Sequence, residues 1–222
     1  MHIWALGDLH LCFGTPEKSM EIFGSQWRDY PAKIKSNWLK KVAPQDLVLI
    51  PGDISWALHL EQALIDLKWL AELPGKKILI KGNHDYWWSS KTKVKNSLPP
   101  SIAIIQNDCL VFDTVAIAGS RLWDCPEFSF EQYAGGDSTG PQQPEKQEQS
   151  YILQRELKRL QLSLEQIPAN ATTRICMTHF PPIGADLQNS CISQLLEKFR
   201  IDFAVFGHLH NLKPNKSLFG RS

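Results

Sequence analysis

The sequence predicts an α/β fold, and three observations carry that prediction. Apolar runs of strand length recur at residues 3–6, 47–50, 78–80, 102–105, 110–112, 115–118, 175–177 and 203–206, as expected of strands buried on both faces. Stretches with helical periodicity separate several of them. The connections in the middle of the chain are too short to hold a helix. Strands alternating with helices, followed by closely spaced strands, lead to two mixed sheets flanked by helices, a four-layer αββα sandwich.

Each element follows from local pattern. The run at 3–6 opens the chain, and Pro31 then sets the start of a helix in which Ile34, Trp38 and Val42 step by four. After the 47–50 run, Leu60, Ala63, Leu64, Leu67, Leu70 and Ala71 keep one apolar stripe until Pro74-Gly75 stops it. Between the runs at 102–105, 110–112 and 115–118, Asn107-Asp108 and Asp113-Thr114 leave room only for tight turns, which predicts antiparallel hairpins. Residues 135–150 hold Gly-Gly, two prolines and four glutamines, and the first part of this stretch is expected to be a surface loop or flap. Leu153, Leu157, Leu160, Leu164 and Ile167 then mark a helix ending at Pro168, with Arg155, Glu156, Lys158 and Arg159 on its other face.

With 222 residues, 43% of them apolar, the chain is long enough to bury a substantial core, and residues 1–222 read as a single domain. Twenty-four Lys and Arg against 23 Asp and Glu give a net charge of +1, which supplies no electrostatic footprint for nucleic acid or an anionic membrane. Cys12, Cys109, Cys125, Cys176 and Cys191 are odd in number and form no Cys-x-x-Cys pair, which argues against a disulfide framework and against a thiolate zinc site. The first eight residues lack the basic region of a signal peptide, and no run approaches a membrane span. A cytoplasmic location is expected.

The chemistry lies in clusters that follow the apolar runs. In order they are Asp8-x-His10, Gly52-Asp53, Gly82-Asn83-His84-Asp85, His179 and Gly207-His208-Leu209-His210, and they hold five of the seven histidines. Open α/β sheets bind ligands beyond the carboxyl ends of their strands, where these clusters fall. In a still-extended chain Asp8 and His10 would project to one side. Carboxylate, amide and imidazole donors together suit Mn²⁺, Fe or Zn²⁺. Two ions about 3.5–4 Å apart can activate a shared water and neutralise phosphate oxygens during in-line attack. His84, next to Asn83, is the candidate acid for the leaving group, and Asp85 is a candidate to orient it.

In this order the clusters, covering residues 3–210, resemble the signature of the calcineurin-like metallophosphoesterase superfamily. The resemblance implies that Asp8, His10, Asp53 and His210 hold one metal, that Asp53, Asn83, His179 and His208 hold a second, and that Asp53 bridges them. It also implies the leaving-group role for His84 and the four-layer sandwich. The stretch Gly52-Asp53-Ile54-Ser55-Trp56-Ala57 lacks the Asp-Arg-Gly continuation of Ser/Thr protein phosphatases. Pro51, Tyr86-Trp87-Trp88 and Thr178-His179-Phe180-Pro181-Pro182 look more like small bacterial predicted phosphohydrolases.

The expectation is a dinuclear metal-dependent phosphohydrolase, with Mn²⁺ the first choice of metal, cleaving a phosphomonoester or phosphodiester by attack of a metal-bridging hydroxide. A metal-binding scaffold or interaction module without turnover is the alternative. Arg121 offers a planar fork to a substrate phosphate, against the ordinary fate of a surface salt bridge. Trp87 and Trp88 offer an aromatic wall, against the ordinary fate of core packing. The chain ends twelve residues after His210, where members of the superfamily add further strands. A C-terminal truncation is therefore expected, with residues 216–219 starting such a strand.

Overall fold

The computed structural model describes residues 1–130 and 146–210. The chain divides into two compact units, Met1–Ile104 and Ile105–Ser222. The first holds strands β1 (Ile3–Ala5), β2 (Leu47–Ile50), β3 (Lys76–Leu79) and β4 (Ile102–Ile104), joined in that order into a parallel sheet. Parallel neighbours need crossover connections, and α1 (Tyr30–Lys41), α2 (Leu60–Ala71) and α3 (Lys91–Ser97) lie in the three links. Pro31 occupies the first turn of α1, as its fixed φ favours, and Lys40 and Lys41 sit at the negative end of the helix dipole.

One strand departs from expectation. The run at 102–105 reads as part of a hairpin, but β4 pairs parallel with β3, Lys77 opposite Ile102 and Leu79 opposite Ile104. The physical reason is α3, which lengthens the link between the two strands. Its N-cap Ser90 accepts the Lys93 N–H at 3.3 Å, and its buried Val94 anchors it to the core.

That core joins Trp38 of α1, Leu67 and Leu70 of α2, Val48 and Ile50 of β2, and Leu79 of β3. Every residue of β2 is buried, as its unbroken apolar run predicts. Trp87 and Trp88 belong to this core at 1% and 3% exposure, so they pack the interior and form no aromatic wall.

In the second unit, β5 (Cys109–Phe112), β6 (Val115–Ser120), β7 (Thr173–Thr178) and β8 (Phe203–Phe206) also lie in chain order. β5 and β6 form the expected antiparallel hairpin through Asp113, whose φ is 54°, and the remaining pairs are parallel, so this sheet is mixed. Gly119 permits the close approach of β6 and β7, since a Cβ there would lie 2.1 Å from the Met177 carbonyl oxygen.

Helix α4 (Lys146–Leu164) brings Leu153, Leu160 and Leu164 onto Ala118 and Cys176, where Ile192 and Leu196 of α5 (Cys191–Lys198) also pack. Glu156 sits on the polar face of α4 by sequence, yet it is 1% exposed; the guanidinium groups of Arg121, Arg155 and Arg159 offset the cost of burying its charge.

The α/β class and two four-stranded sheets flanked by helices agree with the expectation; of the two mixed sheets expected, the first is instead parallel throughout, because each of its links holds a helix. The expected loop over residues 135–145 and the strand start at 216–219 lie outside the described residues. Among the described residues no helix is long and apolar enough to cross a membrane.

Lys77 gives the fold a pH signature. Its buried ammonium points at the C-terminal end of α2, donating to the carbonyl oxygens of Ala71 at 3.4 Å, Gly75 at 3.0 Å and Leu73. Burial pushes its pKa down from 10.5 to about 8. Between those values the unfolded chain binds the extra proton, so this group's contribution to stability rises with pH across the window. In urea titrations at pH 8 and pH 10, the midpoint of the wild type relative to Lys77→Met is expected to shift in favour of the wild type at the higher pH. An unchanged difference would contradict the assignment.

Candidate functional site

Three loops leave the C-terminal ends of the adjacent strands β1, β2 and β3, and they carry Asp8 and His10, Asp53, and Asn83 and His84 respectively. Ligand atoms of Asp8, His10 and Asp53 lie within 4.8 Å of one another. His10 and Asp53 are 0% and 1% exposed, with Nε2 of the one 3.6 Å from Oδ2 of the other. Two nitrogen or oxygen donors from one loop and a carboxylate from the next therefore converge, a donor set that fits a divalent cation.

The route to this convergence is not the extended segment that the spacing suggests. β1 ends at Ala5, and Asp8, His10 and Asp53 all adopt left-handed conformations with φ of 56°, 43° and 51°. Such backbone costs about 1–3 kcal/mol per non-glycine residue and persists only where neighbouring structure enforces it. The enforcement is a ladder between the two loops, in which the N–H groups of Asp8, His10 and Leu11 donate to the carbonyls of Gly52, Asp53 and Ile54 at 3.1, 2.9 and 2.9 Å.

Asp85 ties the third loop to the second. Its carboxylate accepts from the backbone N–H of Asp53 (2.9 Å), Ile54 (2.9 Å), Ser55 (3.2 Å) and Gly82 (2.8 Å), and from the Trp87 indole (3.0 Å). Burial pushes the Asp85 pKa up, and the donors from Gly82, Ser55, Ile54 and Trp87 oppose it. Because each of these bonds needs an acceptor oxygen, the loop is built around the ionised form. Asp85 thus organises the loops through their backbone rather than acting as the expected orienter of the His84 imidazole.

Two further contacts set Asp53. Its Oδ1 accepts the His84 N–H at 2.9 Å, and a Cβ on Gly82 would lie 2.1 Å from that same oxygen. The Gly82 position is therefore sterically reserved for glycine. The His84 ring lies 5.7 Å from the His10 ring and 4.7 Å from Trp56, and Trp56 stacks on His10 at 4.5 Å. Trp56 belongs to none of the donor clusters, and its place three residues beyond Asp53 is the one signal the sequence gives for it. Asn83 is half-buried between Gly82 and His84.

The second unit repeats the arrangement at the ends of β6, β7 and β8, which are followed by Arg121, His179 and His208. The Arg121 carbonyl accepts the N–H groups of His179 and Phe180 at 3.1 and 3.0 Å, and the His179 carbonyl accepts that of Gly207 at 3.1 Å. His179 is fully buried and its ring lies 5.2 Å from that of His208, whose φ of 73° marks another enforced turn. His210 is exposed, and its N–H donates to the His208 carbonyl at 3.1 Å.

The Arg121 guanidinium sits 3.3 Å from Glu156 and lies over the Trp123 ring, 4.8 Å from its centroid. The ring of Phe180, part of the motif around His179, lies tilted 4.2 Å from that of His208, and Glu156 is a neighbour that no motif signals.

Comparison with known proteins gives three findings. A family model described as calcineurin-like phosphoesterase matches residues 1–212. The chain is similar to the gene 66 protein of Mycobacterium phage D29, at 34% identity over 84 residues, which is 38% of this chain and 40% of that protein. The match thus spans well under half the length of this curated relative. Among solved structures, the phosphopantetheinyl hydrolase PptH of Mycobacterium tuberculosis is similar in fold, with a TM-score of 0.51 and 14% identity over 94% of this chain and 82% of that one. A protein of unknown function from Aquifex aeolicus, AQ665, aligns over 91% of this chain and 88% of its own at 17% identity and a TM-score of 0.40.

The geometry makes Asp85 the residue whose charge state matters most to the loops. Asp85→Asn removes the carboxylate that these N–H groups share and is expected to cost about 3 kcal/mol or more. A lowered urea midpoint would read out that loss. A midpoint equal to that of the wild type would mean that the five bonds do not hold the loops.

Proposed function

The chain belongs to the calcineurin-like phosphoesterase family, and on that premise we propose that it is a dinuclear metal-dependent phosphohydrolase acting on a phosphomonoester or phosphodiester. Metal-dependent hydrolysis of phosphate esters is the general activity that the family carries. The observation that supports it most is the convergence of Asp8, His10 and Asp53 within 4.8 Å at the ends of β1 and β2. The match over residues 1–212 favours reading the two units as one catalytic domain.

In this reading Asp8, His10, Asp53 and His210 hold one divalent ion, and Asp53, Asn83, His179 and His208 hold the other, with Asp53 shared. When bound, two such ions supply an acidified water and neutralise the phosphate oxygens, and Mn²⁺ is the first choice of metal. The chain's own residues do the rest. Asp53 is held by the His84 N–H and, through its backbone, by Asp85, so its two oxygens face fixed directions. His84 donates a proton to the departing ester oxygen as the P–O bond breaks. Trp56 covers one face of the His10 ring and limits water there. Arg121 has further N–H donors beyond the one directed at Glu156, and these are assigned to the substrate phosphate.

The test is hydrolysis of p-nitrophenyl phosphate and bis-p-nitrophenyl phosphate with added Mn²⁺, alongside elemental analysis of bound metal. Asp53→Ala is expected to abolish turnover and reduce bound metal. His84→Ala is expected to keep its metal while kcat falls by about 10²–10⁴. Full activity in Asp53→Ala would sink the proposal, and an unchanged kcat in His84→Ala would remove that residue from the leaving-group role.

A further inference from the structure

A second group of ligating side chains lies in the second unit, apart from every residue assigned above. Cys125, Glu127 and Cys191 each offer one ligand atom, and these three atoms all lie within 4.8 Å of one another. Cys125 is buried, Cys191 is half-buried and Glu127 is exposed. The two cysteines come from different segments. Cys125 lies in the loop after β6, and Cys191 is the first residue of α5.

Two observations make this more than a chance meeting of thiols. Glu127 Oε2 accepts the Cys191 N–H at 2.9 Å, which fastens the carboxylate to the start of α5 across 64 positions of chain. The loop that leads into α5 also packs tightly on the one that carries Cys125, since a Cβ on Gly184 would lie 2.8 Å from the Cβ of Phe128. Both segments are thus held in place by contacts that use neither thiol.

We propose that Cys125, Glu127 and Cys191 form a second kind of metal site, taking one soft or borderline divalent cation such as Zn²⁺. Metal–sulfur bonds of about 2.3 Å and metal–oxygen bonds of about 2.0–2.2 Å in a tetrahedral shell place donors roughly 3.3–3.8 Å apart, so small side-chain rotations complete the set. Each thiol releases its proton to solvent as its sulfur binds the cation, and nothing is oxidised or reduced. Two thiolates and a carboxylate leave the fourth position for water. Burial and the neighbouring Glu127 carboxylate push the Cys191 thiol up to about 12, so it is binding of the cation that draws its proton off. The carboxylate is what separates this site from a disulfide, which has no use for a third donor. A cation here clamps the loop after β6 to the start of α5, the two segments that follow Arg121 and His179.

The test uses the full chain, stripped with chelator under reducing conditions and titrated with Co²⁺. Thiolate ligation produces a near-ultraviolet charge-transfer band that nitrogen and oxygen ligands do not. Co²⁺ added until every site is filled is expected to develop that band, and Zn²⁺ to displace it. Cys125→Ser and Cys191→Ser are each expected to lose it, Asp53→Asn to keep it, and Glu127→Gln to weaken Zn²⁺ binding at least about tenfold. Circular dichroism of each variant checks its fold, and Cys191→Ser, at a half-buried position, carries the test if Cys125→Ser does not fold. Absence of the band overturns the proposal, as does a band retained in a folded Cys191→Ser. So does a pair of thiols that oxidise reversibly to a disulfide without binding Co²⁺ when reduced.

Discussion

The carboxylate of Asp85 is the interaction on which the first unit's loops depend. Strands β2 and β3 deliver two loops side by side, and the N–H groups that leave a parallel sheet at its edge have no strand partner of their own. Asp85 gathers four of them with the Trp87 indole onto two oxygens. A buried charge is costly unless it is fully hydrogen-bonded. Here the cost and the gain fall on the same group, so the loops either close around the carboxylate or lose most of what stabilises them. Asp53, whose own N–H is one of the five, is positioned as a consequence.

Strain is distributed accordingly. Asp8, His10 and Asp53 in the first unit and His208 in the second take left-handed backbone conformations, which a designer of stability alone would fill with glycine. Glycine cannot supply a donor atom. The chain instead places glycine next to the donor, at Gly7, Gly52 and Gly207, and lets hydrogen bonds hold the donor itself in the strained state. Gly82 shows the steric half of this arrangement, because its missing Cβ is the space that Asp53 Oδ1 fills. The strain sits on the donor residues, the positions where backbone outliers commonly mark function.

Much of this was legible in the sequence because the two signals are local. A buried parallel strand announces itself as an unbroken apolar run, as β2 does, and each of the eight strands among the described residues overlaps an apolar run, although β1, β5 and β8 are not buried on both faces. The donor clusters stand immediately after them, at the edge where a sheet exposes its loops. What escaped was whatever depends on contacts distant in sequence. Asp8 and His10 looked like two residues of one extended segment, since nothing in their spacing reveals a ladder to Gly52 and Asp53. The run at 102–105 looked like a hairpin strand because α3 has few apolar residues to mark it as a crossover. The burial of Glu156 needs Arg121, more than thirty positions away. Cys125 and Cys191 form no Cys-x-x-Cys pair and give no local signal for the same reason, since cysteine spacing sees only neighbours in the chain.

The aromatic residues show how far composition alone can mislead about a site. Trp87 and Trp88 follow the Asn-His-Asp cluster directly, and on that ground they look available to a ligand. They are instead interior residues, and Trp87 serves the site only by donating its indole N–H to Asp85. Trp56 carries no motif, yet its ring lies against both His10 and His84. An indole over an imidazole excludes water from one face and lowers the local dielectric, and fixed charges then act more strongly on one another than they would in solvent. Asp53 and His10, both almost fully buried beneath this cover, therefore meet a cation in surroundings where each added charge counts for more. The side chain that sets those surroundings was legible only from where the fold puts it.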